Sequence, residues 1–347
     1  DDNGDNIYEV QVTADDQKGG TDSQDISVTI TDVANTLSGT TTSDTTDGDT
    51  SSIEALNVDK GSDGQISLRE AIIAANNTLG KDTISFDLAA SDSNHLYYAD
   101  DGVAGQVSTG FVTTTTEALD SNILGIDPDY QYSWYSIKPS ASLPQITDAV
   151  IIDGYSQSGS QANTNAYPAV SNAVLKIELD GSLSGGGDAL YFLGGDSTLT
   201  GVVINSFVSP LRLDNSNGYT IQGNYIGTDV SGTLDPGNTS WGMWIRNSAS
   251  NQIGGTDPGD RNLVSANSNG GIIVVGGPTS NNIIEGNYVG VDVTGTTTLG
   301  NGTWGGITIS SGANHNTIGG TAAGAGNLIG GGSWRGIGLL VASDNTI

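Results

Sequence analysis

Residues 59–70, Asp-Lys-Gly-Ser-Asp-Gly-Gln-Ile-Ser-Leu-Arg-Glu, have the residue types and spacing of a twelve-residue calcium loop. In an EF-hand-type loop, carboxylates at the first and fifth positions and a carbonyl at the seventh converge on the ion. A glycine at the sixth position allows the sharp turn, and an acid at the twelfth binds bidentately. Asp59, Asp63, the Gln65 carbonyl and Glu70 fall on those ligand positions, with Gly64 at the sixth and Ile66 at the eighth. Gly61 at the third position removes one ligand. Glu70 also stands three residues after Ser67, the spacing of a capping box at a helix start, and capping is compatible with ligation. Calcium is the cofactor this pattern predicts, held by Asp59, Asp63, Gln65 and Glu70.

Other groups point to chemistry less directly. The Asp cluster in residues 1–5, with Asp15, Asp16 and Asp32, has the composition of an inter-domain calcium site. Asp229 and Asp292 resemble the paired carboxylates of a glycosidase, but they occupy the same place in two copies of a repeat, and turn formation explains them. Arg212, Arg246, Arg261 and Arg335 are scattered. His95 and His315 read as isolated, without a Ser/His/Asp arrangement around them. No catalytic residue is predicted. Trp241, Trp244, Trp304 and Trp334 recur with the repeat, as sugar-stacking rings or as a cap on one side of the fold.

The elements that must hold these residues come from that repeat. The run Gly223-Asn224-Tyr225-Ile226-Gly227-Thr228-Asp229-Val230 returns 63 positions later as Gly286-Asn287-Tyr288-Val289-Gly290-Val291-Asp292-Val293. A shorter beat places Ile221, Ile253, Ile284, Ile318 and Ile347 at steps of 32, 31, 34 and 29 residues. Between them lie β-branched runs too short for helices and bounded by Gly or Asn, such as Ile272-Ile273-Val274-Val275. This pattern predicts an all-β fold, a right-handed parallel β-helix whose coils stack about 4.8 Å apart. Asn224, Asn262, Asn287 and Asn327 fall at matching turns, where an αL conformation and hydrogen bonds to the next coil are expected.

Composition narrows the partners. Ten Lys and Arg stand against 39 acids, only six of them Glu, for a net charge of −29. A nucleic acid or an anionic membrane surface is an unsuitable partner, because nothing neutralises phosphate. No run is long and apolar enough for membrane insertion. The absence of Cys rules out disulfides, thiol catalysis and Cys-based zinc sites. The chain opens in mid-pattern and ends inside a coil, which reads as a fragment of a longer polypeptide.

Three segments are expected. Residues 1–35 carry two alternating runs, 7–13 and 26–32, that predict a hairpin. This hairpin resembles the last two strands of a cadherin-like sandwich. Residues 36–81 comprise a Thr/Ser/Asp/Gly-rich linker over 36–50, the candidate calcium loop and an amphipathic helix over 67–77, placed to cap the open end of the stack. Residues 82–347 form the β-helix, interrupted at about 89–134 by an insertion with Tyr97, Tyr98, Tyr130, Tyr132 and Trp134. A binding element or a cover over the N-terminal coil is the expected role of that insertion. The run Ser-Leu-Arg-Glu-Ala-Ile-Ile-Ala-Ala-Asn-Asn at 67–77 resembles the CSLREA domain of bacterial secreted proteins, with Ile66 where the name-giving Cys would stand.

That resemblance implies a segment of a large extracellular or bacterial cell-surface protein. Regular repetition without a convergent catalytic cluster points to a structural or adhesive segment, such as a fibre subunit, with other copies or further domains of the same protein and glycans as partners. The alternative is a carbohydrate-binding or polysaccharide-degrading protein, which an aromatic strip beside Arg and Asp on one parallel sheet would favour.

Overall fold

Short β-branched runs become strands here because each finds a parallel neighbour roughly one repeat away in sequence. The structure is a computed structural model and describes residues 7–29, 34–332 and 334–347. The chain divides into two compact units, Asp1–Ala34 and Asn35–Ile347. The Asp cluster at 1–5 and Asp32 lie outside the described residues.

In the first unit, β1 (Ile7–Asp15) and β2 (Thr21–Thr29) pair antiparallel, with Val10 opposite Ile26. Asp16 ties the turn by accepting from the N–H groups of Lys18 and Gly20 at 2.8 and 2.9 Å. Val10, Val12 and Ile26 are about half exposed. The predicted hairpin is present, with its second strand beginning at Thr21 rather than at residue 26.

The second unit is mostly β, with three sheets of six, eight and nine strands. From Asp188 the chain visits the six-, eight- and nine-stranded sheets in turn and repeats that order up to Ile337–Leu340. Each strand of the repeat pairs parallel with its counterpart one circuit away. Leu37, Ile84, Ile152, Leu199, Ile221, Ile253, Ile284 and Ile318 are thus aligned in one ladder of the eight-stranded sheet. Ile137, Leu179, Ile204, Ile226, Val264 and Val289 form a second ladder, and Phe192, Leu213, Ile245, Val274 and Ile309 a third. All three belong to one buried core, so a chain of modest apolar content stays folded by stacking aliphatic residues in register.

Asn residues bond to the backbone of the neighbouring circuit, as expected, but without the αL conformation. Asn224, Asn262, Asn287 and Asn327 do not adopt positive φ; Gly223 and Gly286 take that conformation, at 67° and 70°. A Cβ on Gly286 would lie 1.9 Å from the Gly255 carbonyl oxygen, so the position admits no side chain. The Asn side chains also form a ladder. Each Nδ2 donates to the next Oδ1, at 3.1, 2.9 and 3.0 Å. A second ladder joins Asn251, Asn282, Asn316 and Asn345, and a third joins Asn238, Asn267 and Asn301.

Two helices, α1 (Ile53–Val58) and α2 (Leu68–Asn76), pack where the eight-stranded sheet ends at Thr36–Gly39. The capping box on α2 is formed, and Leu68, Ala71, Ile72, Ala74 and Ala75 enter the core. Residues 36–50 are not a free linker: Thr36–Gly39 is a sheet strand, because Leu37 finds a slot above Ile84. Among the described residues, no helix is long and apolar enough to cross a membrane.

The insertion adds His95–Tyr98 and Val112–Thr114 as antiparallel strands at the end of the nine-stranded sheet. Successive residues alternate faces. Val203, Tyr225, Leu263 and Tyr288 therefore face away from the core, and with Tyr98, Tyr130, Trp134 and Leu175 they make a second buried cluster. The insertion covers an outer sheet face across several repeats, not the N-terminal strands alone.

Candidate functional site

The loop predicted to bind calcium is built from separate turns. Asp59 caps α1 and its Oδ1 accepts from the Gly61 N–H at 3.1 Å. Asp63 accepts from the Gln65 N–H at 2.8 Å, and both Asp63 and Gln65 are exposed. Glu70 is buried, and three backbone N–H groups engage its carboxylate: Asp47 and Gly48 on Oε1, both at 2.8 Å, and Ser67 on Oε2 at 2.9 Å. Glu70 thereby ties the 45–48 loop to α2, while Asp59 and Asp63 serve their own turns. The structure does not gather Asp59, Asp63 and Glu70 into a trio of ligand oxygens.

Among the described residues, the group with metal-ligand spacing lies in the insertion. One carboxylate oxygen from each of Asp100, Asp101 and Asp127 falls within 4.8 Å of the others. Backbone pairing positions them. Ala99 bridges Ile126 antiparallel, the Asp100 N–H donates to the Gly125 carbonyl at 2.9 Å, and the Asp127 N–H donates to the Tyr98 carbonyl at 2.8 Å. Each Asp then accepts a backbone N–H two residues on through Oδ1: Gly102 at 2.8 Å, Val103 at 2.8 Å and Asp129 at 2.9 Å. Asp100 is exposed and Asp101 half-buried, but Asp127 is only 1% exposed, and its Oδ2 is buried without a hydrogen-bond partner. In the sequence, Asp100-Asp101-Gly102 and Asp127-Pro128-Asp129 read as two ordinary turns, and 24 residues separate them.

His95 is not isolated. It is buried and stacks on Tyr135 at 4.3 Å, with Nε2 2.8 Å from Ser133 Oγ and Nδ1 3.0 Å from the Ala90 carbonyl. Ser133 also touches Asp120, and Lys176, 3% exposed, reaches Asp120 at 2.6 Å and Ser133 at 3.3 Å. Burial pushes the His95 pKa down and outweighs the Ala90 contact. Burial raises the Asp120 carboxyl, but the Lys176 and Ser133 hydrogen bonds more than offset it and leave the pKa low. Asp120 and Ser133 lie far from His95 in sequence, so no motif announces the cluster. It is buried and internally bonded, which makes it a tie between insertion and sheet.

Asp229 and Asp292 hold turns, as expected. Asp229 accepts from the N–H groups of Ser231, Thr233 and Leu234 at 3.0, 3.1 and 2.9 Å, and Asp292 from Thr296 and Thr297 at 3.2 and 3.1 Å. Asp229 also accepts from the Tyr98 hydroxyl at 2.9 Å, which anchors the insertion; burial, then the Asp229 charge, drives the Tyr98 pKa far up. Arg212 and Arg246, scattered in sequence, converge on buried Asp214 at 2.9 and 2.8 Å because they lie on adjacent strands. Trp241, Trp304 and Trp334 form one aromatic series, with centroids 6.5 and 5.5 Å apart; Trp244 is not part of it. His315 is paired with Asn314 in an exposed turn.

A groove of about 480 Å³ runs over the outer face of the nine-stranded sheet. Tyr167, 62% exposed, stands edge-on to Tyr288 at 6.4 Å, and the Arg261 guanidinium lies over the Tyr288 ring at 4.3 Å. Asp257 is exposed at the rim, and Asn327 and Leu328 complete the floor. Burial, then the neighbouring Asp257, raises the Asp260 pKa. Tyr167 comes from the loop between Asp153 and Ile177, which Asn163 ties to the Pro258 carbonyl at 2.9 Å. Sequence reasoning missed this loop because it lies outside the clear repeat. No protein-family model matches the chain, and no curated protein matches it.

Proposed function

We propose that the unit from residue 35 onward is a right-handed parallel β-helix that serves as a rigid structural and adhesive segment of a large extracellular protein of the bacterial cell surface. The observation that carries this reading is the register: three sheets repeat in fixed order, with aliphatic ladders inside and Asn ladders at the turns. Such a stack is stiff, because every circuit is hydrogen-bonded to the next along all three sheets. The CSLREA-like run at 67–77 and the cadherin-like hairpin support the same setting. Calcium stabilisation belongs to this reading, since the acids are overwhelmingly Asp and cluster in turns. Other copies or further domains of the same protein, and glycans, are its partners; head-to-tail assembly into a fibre would follow from a heterologous contact at the coil ends.

A carbohydrate-binding role is the second reading, favoured by the Tyr167, Tyr288 and Arg261 arrangement beside Asp257. Aromatic faces flanked by hydrogen-bonding groups suit sugar rings. A glycan array with and without calcium, joined to product assays on pectin and alginate, tests both readings. We expect glycan retention that Tyr167→Ala weakens, and no lyase or hydrolase turnover, since the negative field repels acidic polymers. Product release that disappears on replacing Arg261 or Asp257 would overturn the structural reading.

A further inference from the structure

We infer that Asp100, Asp101 and Asp127 bind one calcium ion that staples the insertion shut over the outer face of the nine-stranded sheet. Two independent observations converge. Three carboxylate oxygens within 4.8 Å repel one another unless a cation or protons lie among them. Separately, Asp127 is buried with an oxygen that no donor satisfies, a costly arrangement for a carboxylate in a folded chain. A bound cation removes both penalties at once.

The ligand set selects the ion. Only oxygens are offered, without His or Cys, which suits a hard cation and not zinc or copper. Each Asp spends Oδ1 on a backbone N–H, which fixes its rotamer and leaves Oδ2 for the ion. Asp100 and Asp101 come from one stretch and Asp127 from the other, so the ligands span a pairing made by the Ala99–Ile126 bridge and by the Gly105 and Gln106 N–H groups on Asp129. Uneven exposure leaves room for waters on the Asp100 side, and calcium tolerates such irregular coordination better than magnesium.

The location says what the ion would do. Tyr98, one residue before the bridge, donates to Asp229 and packs on Trp134 at 4.8 Å and Tyr130 at 6.0 Å. The same stretch leads into Gln106, Asp129, Tyr130 and Tyr132, which line a second cavity of about 330 Å³ against Tyr225. Calcium at the trio would therefore hold the cover, and with it that cavity, in place.

This inference rests on the calcium-stabilised reading above, and the test separates the two. Calcium is titrated calorimetrically into the EDTA-stripped full chain, alongside hydrogen exchange of residues 89–134. We expect one site per chain and slower exchange in the insertion on calcium addition. Asp127→Asn and, at the exposed edge where folding is not at risk, Asp100→Asn should each weaken binding at least about tenfold, as expected on losing a charged ligand. Titration of both variants like the parent, with binding lost instead in Asp59→Asn/Asp63→Asn, would overturn the trio and leave calcium stabilisation standing. A parent chain that takes up no calcium would overturn both.

Discussion

His95 is a residue whose chemistry its surroundings alter near neutral pH. Its imidazole is buried against Tyr135 and meets Ser133, while Lys176, Asp120 and Asp92 supply the nearby charges. Burial lowers its pKa below the ordinary value of 6.5, so the unfolded chain binds the proton more tightly than the native one. Stability contributed by neutral His95 is thus complete above the unfolded pKa and falls as pH drops below about 6.5. The low Asp120 pKa acts in a separate window, where stability is lost only as pH falls through the carboxylate range. Melting temperatures between pH 7.5 and 5 should decline for the parent and stay flatter for His95→Gln; parallel curves would show that His95 does not govern this range.

At the scale of the element, the Asn ladders do work that strand pairing leaves undone. Strands of two or three residues, such as Leu263–Val264, offer few ladder hydrogen bonds. Asn262 accepts from the Asn224 N–H at 3.0 Å and donates to the Ile221 carbonyl at 2.8 Å and to Asn287 Oδ1 at 2.9 Å, all buried. Asn262→Ala leaves those partners buried without bonds, a loss of about 2–4 kcal/mol from penalties of about 1–3 kcal/mol per group. Urea unfolding should show the midpoint moving with an unchanged slope. A loss below about 0.5 kcal/mol would place the ladder among ordinary surface contacts. The insertion adds side-chain ties to its strand pairing, through Tyr98 to Asp229 and Lys176 to Asp120.

For the whole molecule, net charge works against the compact state. A net −29 repels itself, and among the described residues a few ion pairs such as Arg69–Asp44 and Lys138–Asp180 answer it locally. Sodium chloride, added in the presence of EDTA so that calcium plays no part, should raise the melting temperature by screening this repulsion. A melting temperature that falls with salt would mean that the local pairs outweigh the global field.

The sequence by itself determined the parallel register. Ile at a fixed beat and Gly beside Asn at each turn leave few other ways to bury a chain with so little apolar surface, and a one-residue slip would turn every ladder outward. It also determined the hairpin and the capping box on α2, because both are local: their partners lie within a few residues. What only the tertiary structure decided concerns contacts between circuits. Asn side chains bond to Asn one circuit away rather than bending their own backbone, Arg212 and Arg246 meet on Asp214, and His95 finds Ser133 and Asp120. Glu70 shows the limit clearly. Its spacing from Asp59 and Asp63 fits a calcium loop, yet its carboxylate turns to the N–H groups of Asp47 and Gly48, because a buried acid goes where the fold supplies donors. The acidic trio carries the same lesson in reverse. Asp100, Asp101 and Asp127 are ordinary turn residues in the sequence, and one antiparallel bridge, set by packing of the insertion on the sheet, brings their charges together.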